Sequence, residues 1–355
     1  MLKAYKFRLY PNIEQQEFFQ KSFGCTRLIY NRMLADKIEH YRNHKEQLNN
    51  TPAQYKREFH WLKEVDSLAL ANAQIDLQAA YNNFFKRPDV GFPKFKNKHR
   101  SKKSYKTNNQ GGNIRISNRY IKLPKIGCVR IKQHRNFEGK IKSCTISQNH
   151  SGKYYISILV EEEKCLLSKN DTKVGIDLGL TDFAILSTGE KIQNPKYLRK
   201  SEQKLKQIQR SYSRKKNGSR NKERARIMLA KKHEKIANQR KDFLHKLSKR
   251  LINENQVVAV ETLKSSNMMK NRKLSKSISD VSWYEFVRQL EYKSDWYGRT
   301  LIKADQFYPS SQLCSCCGHK DGKKTLDIRH WMCSKCGVEL DRDINAAMNL
   351  LKLAG

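Results

Sequence analysis

Apolar and polar residues alternate through the opening LKAYKFRLY, which predicts a strand over residues 1–10, ended by Pro11. From about residue 12 to 85 the period lengthens. Apolar residues recur three and four apart in EQQEFFQKSFGCTRLIYNRML and again in LALANAQIDLQAAYNNFF, which predicts helices. Residues 86–106, KRPDVGFPKFKNKHRSKKSYK, lose the period and are expected to form a loop or arm. Strand patterns return over 113–163, with Gly127, Gly139 and Gly152 in the turns. Together with the first strand they suggest a small β-barrel split by the helical stretch. From 171 the segment DTKVGIDLGLTDFAILSTGEKI reads as strand, turn, strand, with Gly189 marking a hairpin to the next. Residues 196–250 read as two helices broken at Asn217-Gly218-Ser219. QVVAVETL follows as a short buried strand, then a helix near 281–298, a cluster of cysteines, and RDINAAMNLLKL as a closing amphipathic helix.

Charge changes this picture most. The 355 residues carry 72 Lys plus Arg against 34 Asp plus Glu, a net charge of +38. Self-repulsion on that scale opposes a compact fold, and a bound polyanion relieves it. Solubility alone needs far less. Nucleic acid is therefore the expected partner. A membrane partner is not expected: no run of 18 apolar residues occurs, and MLKAYKFRLYPNIEQQ lacks the apolar core of a signal peptide. The expected location is the cytoplasm. Four of the nine cysteines are scattered (Cys25, Cys128, Cys144, Cys165) and five crowd between 314 and 336, a metal pattern more than a disulfide framework.

Two carboxylates stand out. Asp177 lies in KVGIDLGL and Glu261 ends VVAVETL, each in or after an apolar strand. Burying a lone carboxylate is costly unless it is paired or holds a cation. Adjacent central strands that bring both to one divalent-ion site would account for the two placements together, and Asp343 at the start of the last helix could add a third carboxylate. Phosphodiester hydrolysis needs an activated water and a stabilised leaving oxygen, and two Mg²⁺ ions held by carboxylates supply both. Taken singly, each residue could as well be a helix or turn cap.

The cysteine spacing is Cys314-x2-Cys317, fifteen residues, then Cys333-x2-Cys336, with Gly318 and Gly337 directly after the second cysteine of each pair. This predicts one structural Zn²⁺ held by four thiolates. Cys316 is extra, and His319 and His330 are read as bystanders. Residues 86–106 interleave Lys and Arg with Phe92, Phe95 and Tyr105, a composition suited to backbone contact and base stacking. Residues 196–250 hold 21 Lys/Arg against four acidic residues and resemble the wall of a phosphate-tracking channel. Candidate nucleic-acid contacts are Lys94, Phe95, Lys96, Arg214, Lys215, Lys216, Arg240 and Lys241.

With these residues laid out, the chain resembles the TnpB (OrfB) proteins of bacterial and archaeal insertion sequences, relatives of type V CRISPR effectors. The resemblance runs through AYKFRLYPNIEQQ, RLIYNRML, GFPKFKNK, IKLPKIGCVRI, GKYYISILVE, VGIDLGLTDFA, RKDFLHKLS, VVAVETL, SWYEFVRQLEYKSDWYG, CSCCG…CSKCG and DRDINAAMN. It implies an α+β protein: a β-barrel wedge domain (1–11 and 107–170) split by a helical recognition insert (12–106), a RuvC-like nuclease domain of RNase H fold (171–312 and 338–355), and a zinc ribbon at 313–337. It implies that Asp177, Glu261 and Asp343 are the catalytic triad, with Asp343 preferred to Asp341. It further implies a guide RNA from the element's end, a double-stranded DNA target beside a short motif, and a prokaryotic protein at the nucleoid when bound to DNA, a monomer with its RNA favoured. The expected activity is an Mg²⁺-dependent DNA endonuclease making double-strand breaks. The alternatives are a catalytically silent RNA-guided repressor and a guide-independent resolvase or transposase of the same fold.

Overall fold

The structure is a computed structural model that describes residues 1–325 and 327–355. It divides into two compact units, Met1–Glu163 and Lys164–Gly355.

In the first unit, strand β1 (Leu2–Tyr10) leads into the long helix α1 (Ile13–His44), then α2 (Pro52–Glu58) and α3 (Ser67–Lys86). The strands β2 (Lys103–Asn108), β3 (Arg115–Ser117), β4 (Tyr120–Leu123), β5 (Gly127–Lys132), β6 (Lys140–Gln148) and β7 (Tyr154–Glu161) follow. A capping box starts α1: the Asn12 side chain accepts from the Gln15 backbone N–H, and Gln15 returns a bond to the Asn12 N–H. The alternation in β1 buries Tyr5, Phe7 and Leu9. The strands make one antiparallel sheet in the order β2-β6-β7-β1-β5-β4-β3, so β1 pairs with strands more than a hundred residues later.

Three expectations are corrected here. Where the sequence suggests a barrel, β2 and β3 are the sheet's edges, and no ladder joins them among the described residues. Phe19 and Phe23 of α1 enter the sheet's core beside Tyr105 of β2, so a helix covers that side. The segment 86–106 is not all loop, because β2 begins at Lys103. Tyr105 accordingly points inward and is buried, out of reach of a nucleic-acid base.

In the second unit, β8 (Lys173–Leu178), β9 (Asp182–Leu186) and β10 (Lys191–Gln193) form an antiparallel meander. Helices α4 (Tyr197–Ser213) and α5 (Arg220–Glu254) lead to β11 (Val257–Val260). Helices α6 (Ser265–Met268), α7 (Ser275–Val281) and α8 (Trp283–Tyr297) lead to β12 (Thr300–Lys303). The break between α4 and α5 contains Asn217-Gly218-Ser219, and Ser219 caps α5 by accepting from the Lys222 N–H. The sheet order is β10-β9-β8-β11-β12, with β8, β11 and β12 parallel. Parallel strands need helical crossovers, and α5 and α8 bury Leu244, Leu251, Phe286 and Leu290 in the core built on this sheet. A small hairpin, β13 (His330–Met332) and β14 (Glu339–Asp341), runs directly into α9 (Arg342–Leu351). Among the described residues, no helix is long and apolar enough to cross a membrane.

Candidate functional site

The β8–β11 ladder pairs Ile176 with Val260. In a parallel pair, residues in register point to the same face, so the next residue on each chain, Asp177 and Glu261, come side by side. This is the carboxyl end of two adjacent central strands, where open α/β sheets place their ligands. Glu261 is held there by its Oε1, which accepts the Leu178 backbone N–H at 2.8 Å.

The third carboxylate arrives on α9, which packs directly on β8. A Cβ on Gly175 would lie 2.0 Å from the Ala347 carbonyl oxygen and 2.6 Å from the Leu351 nitrogen. Only glycine permits this approach, which brings the first turn of α9 beside Asp177. Asp343 lies close enough for its charge to act on Asp177. Its Oδ2 accepts from Nη1 of Arg329 at 2.9 Å. Asp341, the rival in the sequence, has a different position: it is the N-cap of α9 and accepts the Asp343 and Ile344 N–H groups at 2.9 and 3.1 Å.

The electrostatics of Asp177 and Glu261 are unfavourable without a cation. The Asp177 carboxyl is pushed well above the usual carboxylate range, by burial first and then by the charges of Glu261 and Asp343. Burial pushes Glu261 up to about 7. Half-buried carboxylates within electrostatic reach of one another offer an all-oxygen donor set, the chemistry a hard divalent ion takes, and the residues present fit Mg²⁺ on that ground.

A pH dependence follows. The folded pKa of Glu261 is raised from its ordinary 4.5, so the folded chain binds more protons than the unfolded chain between about 4.5 and 7. This contribution is full below that interval and is lost as pH rises through about 7. In chelator-treated protein, the melting temperature should therefore carry a downward slope between pH 5 and 8 that Glu261→Gln flattens. An identical slope in both proteins, measured by thermal unfolding, would show that Glu261 titrates normally.

The four predicted zinc ligands converge. The sulfurs of Cys314, Cys317, Cys333 and Cys336 all lie within 4.8 Å of one another, with Cys314–Cys336 and Cys317–Cys333 at 3.7 Å. A tetrahedron of Zn–S bonds of about 2.3 Å has edges of about 3.8 Å, so the set fits a closed structural zinc site. Cys316 is exposed beside it. Among the described residues the local core is Cys314, Cys333 and Trp331, with Val338 and Leu340 partly buried against them, too little to hold the loops unaided. The hairpin continues past 337, since Asp341 pairs with His330.

The two sites are tied together by residues the sequence reading did not single out. Buried Asn345 on α9 accepts the Ser315 N–H and donates to the Leu313 carbonyl, both at 2.7 Å. Asn349 donates to the Ser310 and Leu313 carbonyls. On the other side, the Arg342 N–H bonds the Arg329 carbonyl and its Nη1 the Thr325 carbonyl. The signal for the asparagines was present: in DRDINAAMN they recur four apart on an otherwise apolar helix face.

The candidate nucleic-acid residues separate into two sets. Lys94, Phe95, Arg214, Lys215, Lys216 and Lys241 are exposed. Lys96 is half-buried, with its ammonium 3.9 Å from the centre of the Tyr30 ring and its backbone bonded in both directions to the Asn31 side chain. It lines a cavity of about 470 Å³ in the first unit, shared with Arg27, Asn72, Lys103 and Lys106. Arg240 is engaged within the fold, donating to the Ser279 carbonyl at 2.6 Å and to Ser282 Oγ at 3.2 Å.

Three family models match the chain. One described as "Probable transposase" (OrfB of IS605) covers residues 157–272, "Cas12f1-like, TNB domain" covers 283–350, and "Helix-turn-helix domain" covers 1–46. The last description differs from the fold, because those residues form β1 and a single 32-residue helix. A Streptomyces pristinaespiralis protein named "Putative RNA-guided DNA endonuclease" is 37% identical, covering 98% of this chain and 88% of its own. An Escherichia coli K12 protein named "Putative RNA-guided DNA endonuclease InsQ" is 32% identical over 99% and 92%. The solved Cas12f1–sgRNA–target DNA complex aligns with a TM-score of 0.63 over 99% of this chain and 98% of that one, at 14% identity, a likeness of fold. On the strength of these full-length relatives, the chain belongs to the TnpB (OrfB) family.

Proposed function

We propose that this protein is an RNA-guided, divalent-metal-dependent DNA endonuclease of a transposable element, cutting with Asp177, Glu261 and Asp343. The observation that carries the reading is the pair Asp177 and Glu261 at the carboxyl ends of β8 and β11, with Asp343 within electrostatic reach of Asp177, in a chain of net charge +38. The names of the full-length relatives support the RNA guide and the DNA target. The antiparallel meander extended by two parallel strands supports a RuvC-like domain of RNase H type, over 171–312 and 338–355. We further propose that 313–337 is a zinc ribbon whose hairpin runs on to Asp341, that 1–11 and 107–170, with β2 from Lys103, form the wedge domain, and that the rest of 12–106 is its recognition insert.

Asp177, Glu261 and Asp343 would hold the catalytic ions. When bound, a pair of Mg²⁺ ions activates the attacking water and stabilises the leaving oxygen. The Leu178 N–H fixes one Glu261 oxygen, and the other would be available to hold a cation. Arg329, seated on Asp343, places a positive charge at the edge of the site, where negative charge grows on the phosphate as the bond breaks. The exposed cations of 214–216 and 241 supply sequence-independent attraction for the phosphate backbone. Base pairing to the guide then reads the target sequence, a division of labour common to RNA-guided nucleases.

The test is the RNA that copurifies when the protein is expressed beside its own flanking DNA. A discrete RNA ending in a variable segment is expected. A protein free of enriched RNA that cuts branched DNA unaided would replace this reading with a resolvase. The family description also favours a second reading, strand transfer, which joined products in an assay with element ends would identify.

A further inference from the structure

We infer that Asp341 and Lys191 form a clamp that positions Asp343: Asp341 fixes the helical turn presenting that carboxylate and keeps the Lys191 ammonium off it. The inference rests on the proposed cation site of Asp177, Glu261 and Asp343.

The two oxygens of Asp341 have separate partners. Oδ1 accepts the Asp343 and Ile344 N–H groups, which sets the first turn of α9. Oδ2 accepts from Lys191 Nζ at 2.6 Å. Lys191 comes from β10, the edge strand at one side of the sheet, while Asp341 ends the β13–β14 hairpin paired with His330. One carboxylate therefore joins the edge of the sheet, the cysteine-rich hairpin and the helix carrying Asp343. The pair is partly enclosed, with 16% of the Asp341 side chain and 44% of the Lys191 side chain exposed.

The charges give the clamp its second role. Lys191 lies within electrostatic reach of Asp343 and Asp182 as well as Asp341. If the negative charge at 341 is removed, these two carboxylates remain for the ammonium to approach. Asp343 already carries the Arg329 guanidinium. A second cation drawn to it would compete directly with a divalent ion. Asp341 touches neither ion nor phosphate in this account. It is a positioning residue whose loss is felt as weakened metal binding, an effect that supporting residues of metal sites typically show at about 10- to 100-fold.

The test titrates zinc-loaded, full-length protein with Mn²⁺ and reads the free ion by electron paramagnetic resonance. Asp341→Asn keeps an N-capping oxygen but removes the charge. It should raise the Mn²⁺ dissociation constant about tenfold or more. Adding Lys191→Met should recover most of that loss, because the competing ammonium is gone while the cap remains. With Asp341→Ala the same second substitution should recover less, because the cap is lost too. Wild-type affinity in Asp341→Asn, or a double variant no tighter than Asp341→Asn, overturns the clamp. Asp177→Ala separates the two levels. If Asp177→Ala keeps wild-type Mn²⁺ affinity, the cation site itself is wrong. If Asp177→Ala loses Mn²⁺ while Asp341→Asn does not, the clamp alone fails.

Discussion

Asp177→Ala should abolish DNA cutting and leave the RNA bound. Asp177 stands at the end of a central strand, within electrostatic reach of both Glu261 and Asp343, so its removal takes one proposed donor from the set. A fall in the single-turnover rate of at least about a thousandfold is expected, roughly 4 kcal/mol of lost transition-state stabilisation. The fold should survive, because the substitution removes a buried carboxylate that repels its neighbours. A rise in the melting temperature of chelator-treated protein is expected for that reason. The cations proposed to hold RNA lie on other elements, among them Lys94 before β2 and Lys215 between α4 and α5. RNA affinity measured by filter binding should therefore match wild type. Cutting that persists in Asp177→Ala with RNA bound would remove the triad from the account.

The second large effect is expected at the other metal site. Cys314→Ser should empty the zinc site, read as zinc per chain by mass spectrometry, and cost cutting as well as stability. Structural zinc contributes about 10–16 kcal/mol in small zinc-finger peptides, and the apolar cluster here is too small to replace it. The loss should travel to the triad by a short route. Residues 313 and 315, on either side of Cys314, are bonded to Asn345, and Asn345 is two positions from Asp343 on the same helix. Arg329, which sits on Asp343, belongs to the loop between the two cysteine pairs. A lower melting temperature and a slower cut are thus expected together. Unchanged melting and cutting in protein verified to lack zinc would show that the ribbon is dispensable to both.

What the residues disclosed beforehand follows a physical division. The placement of Asp177 and Glu261 at neighbouring strand ends was legible because a carboxylate in an apolar strand is costly and so needs a cause. The cysteines were legible because two-residue spacings place thiolates in knuckles. Both are local patterns. Whatever depends on non-local approach was not legible. Gly175 reads as one more small residue in KVGIDLGL until α9 is laid across it. Arg329 is one cation among 72 until the hairpin brings it to Asp343. Tyr105 looks like a base-stacking aromatic among lysines, but β2 turns it into the core. Lys96 and Arg240 have the composition of nucleic-acid contacts and are held by Tyr30 and Asn31 in one case and by α7 in the other. Density of charge identifies a partner class, but it does not say which cations face outward. The choice between Asp341 and Asp343 rests on resemblance, and the structure adds that Asp341 caps α9 while Asp343 lies within electrostatic reach of Asp177.

The central claim is that bound RNA directs this carboxylate site to DNA. It is tested most directly by exchanging the guide segment of the copurified RNA and offering two plasmids, one matched to the old guide and one to the new. With Mg²⁺ present, the account predicts a double-strand break only in the plasmid matching the new guide, and none with Asp177→Ala. Cutting that ignores the exchange, or a matched target left intact by wild-type protein loaded with RNA, Mg²⁺ and zinc, would contradict it.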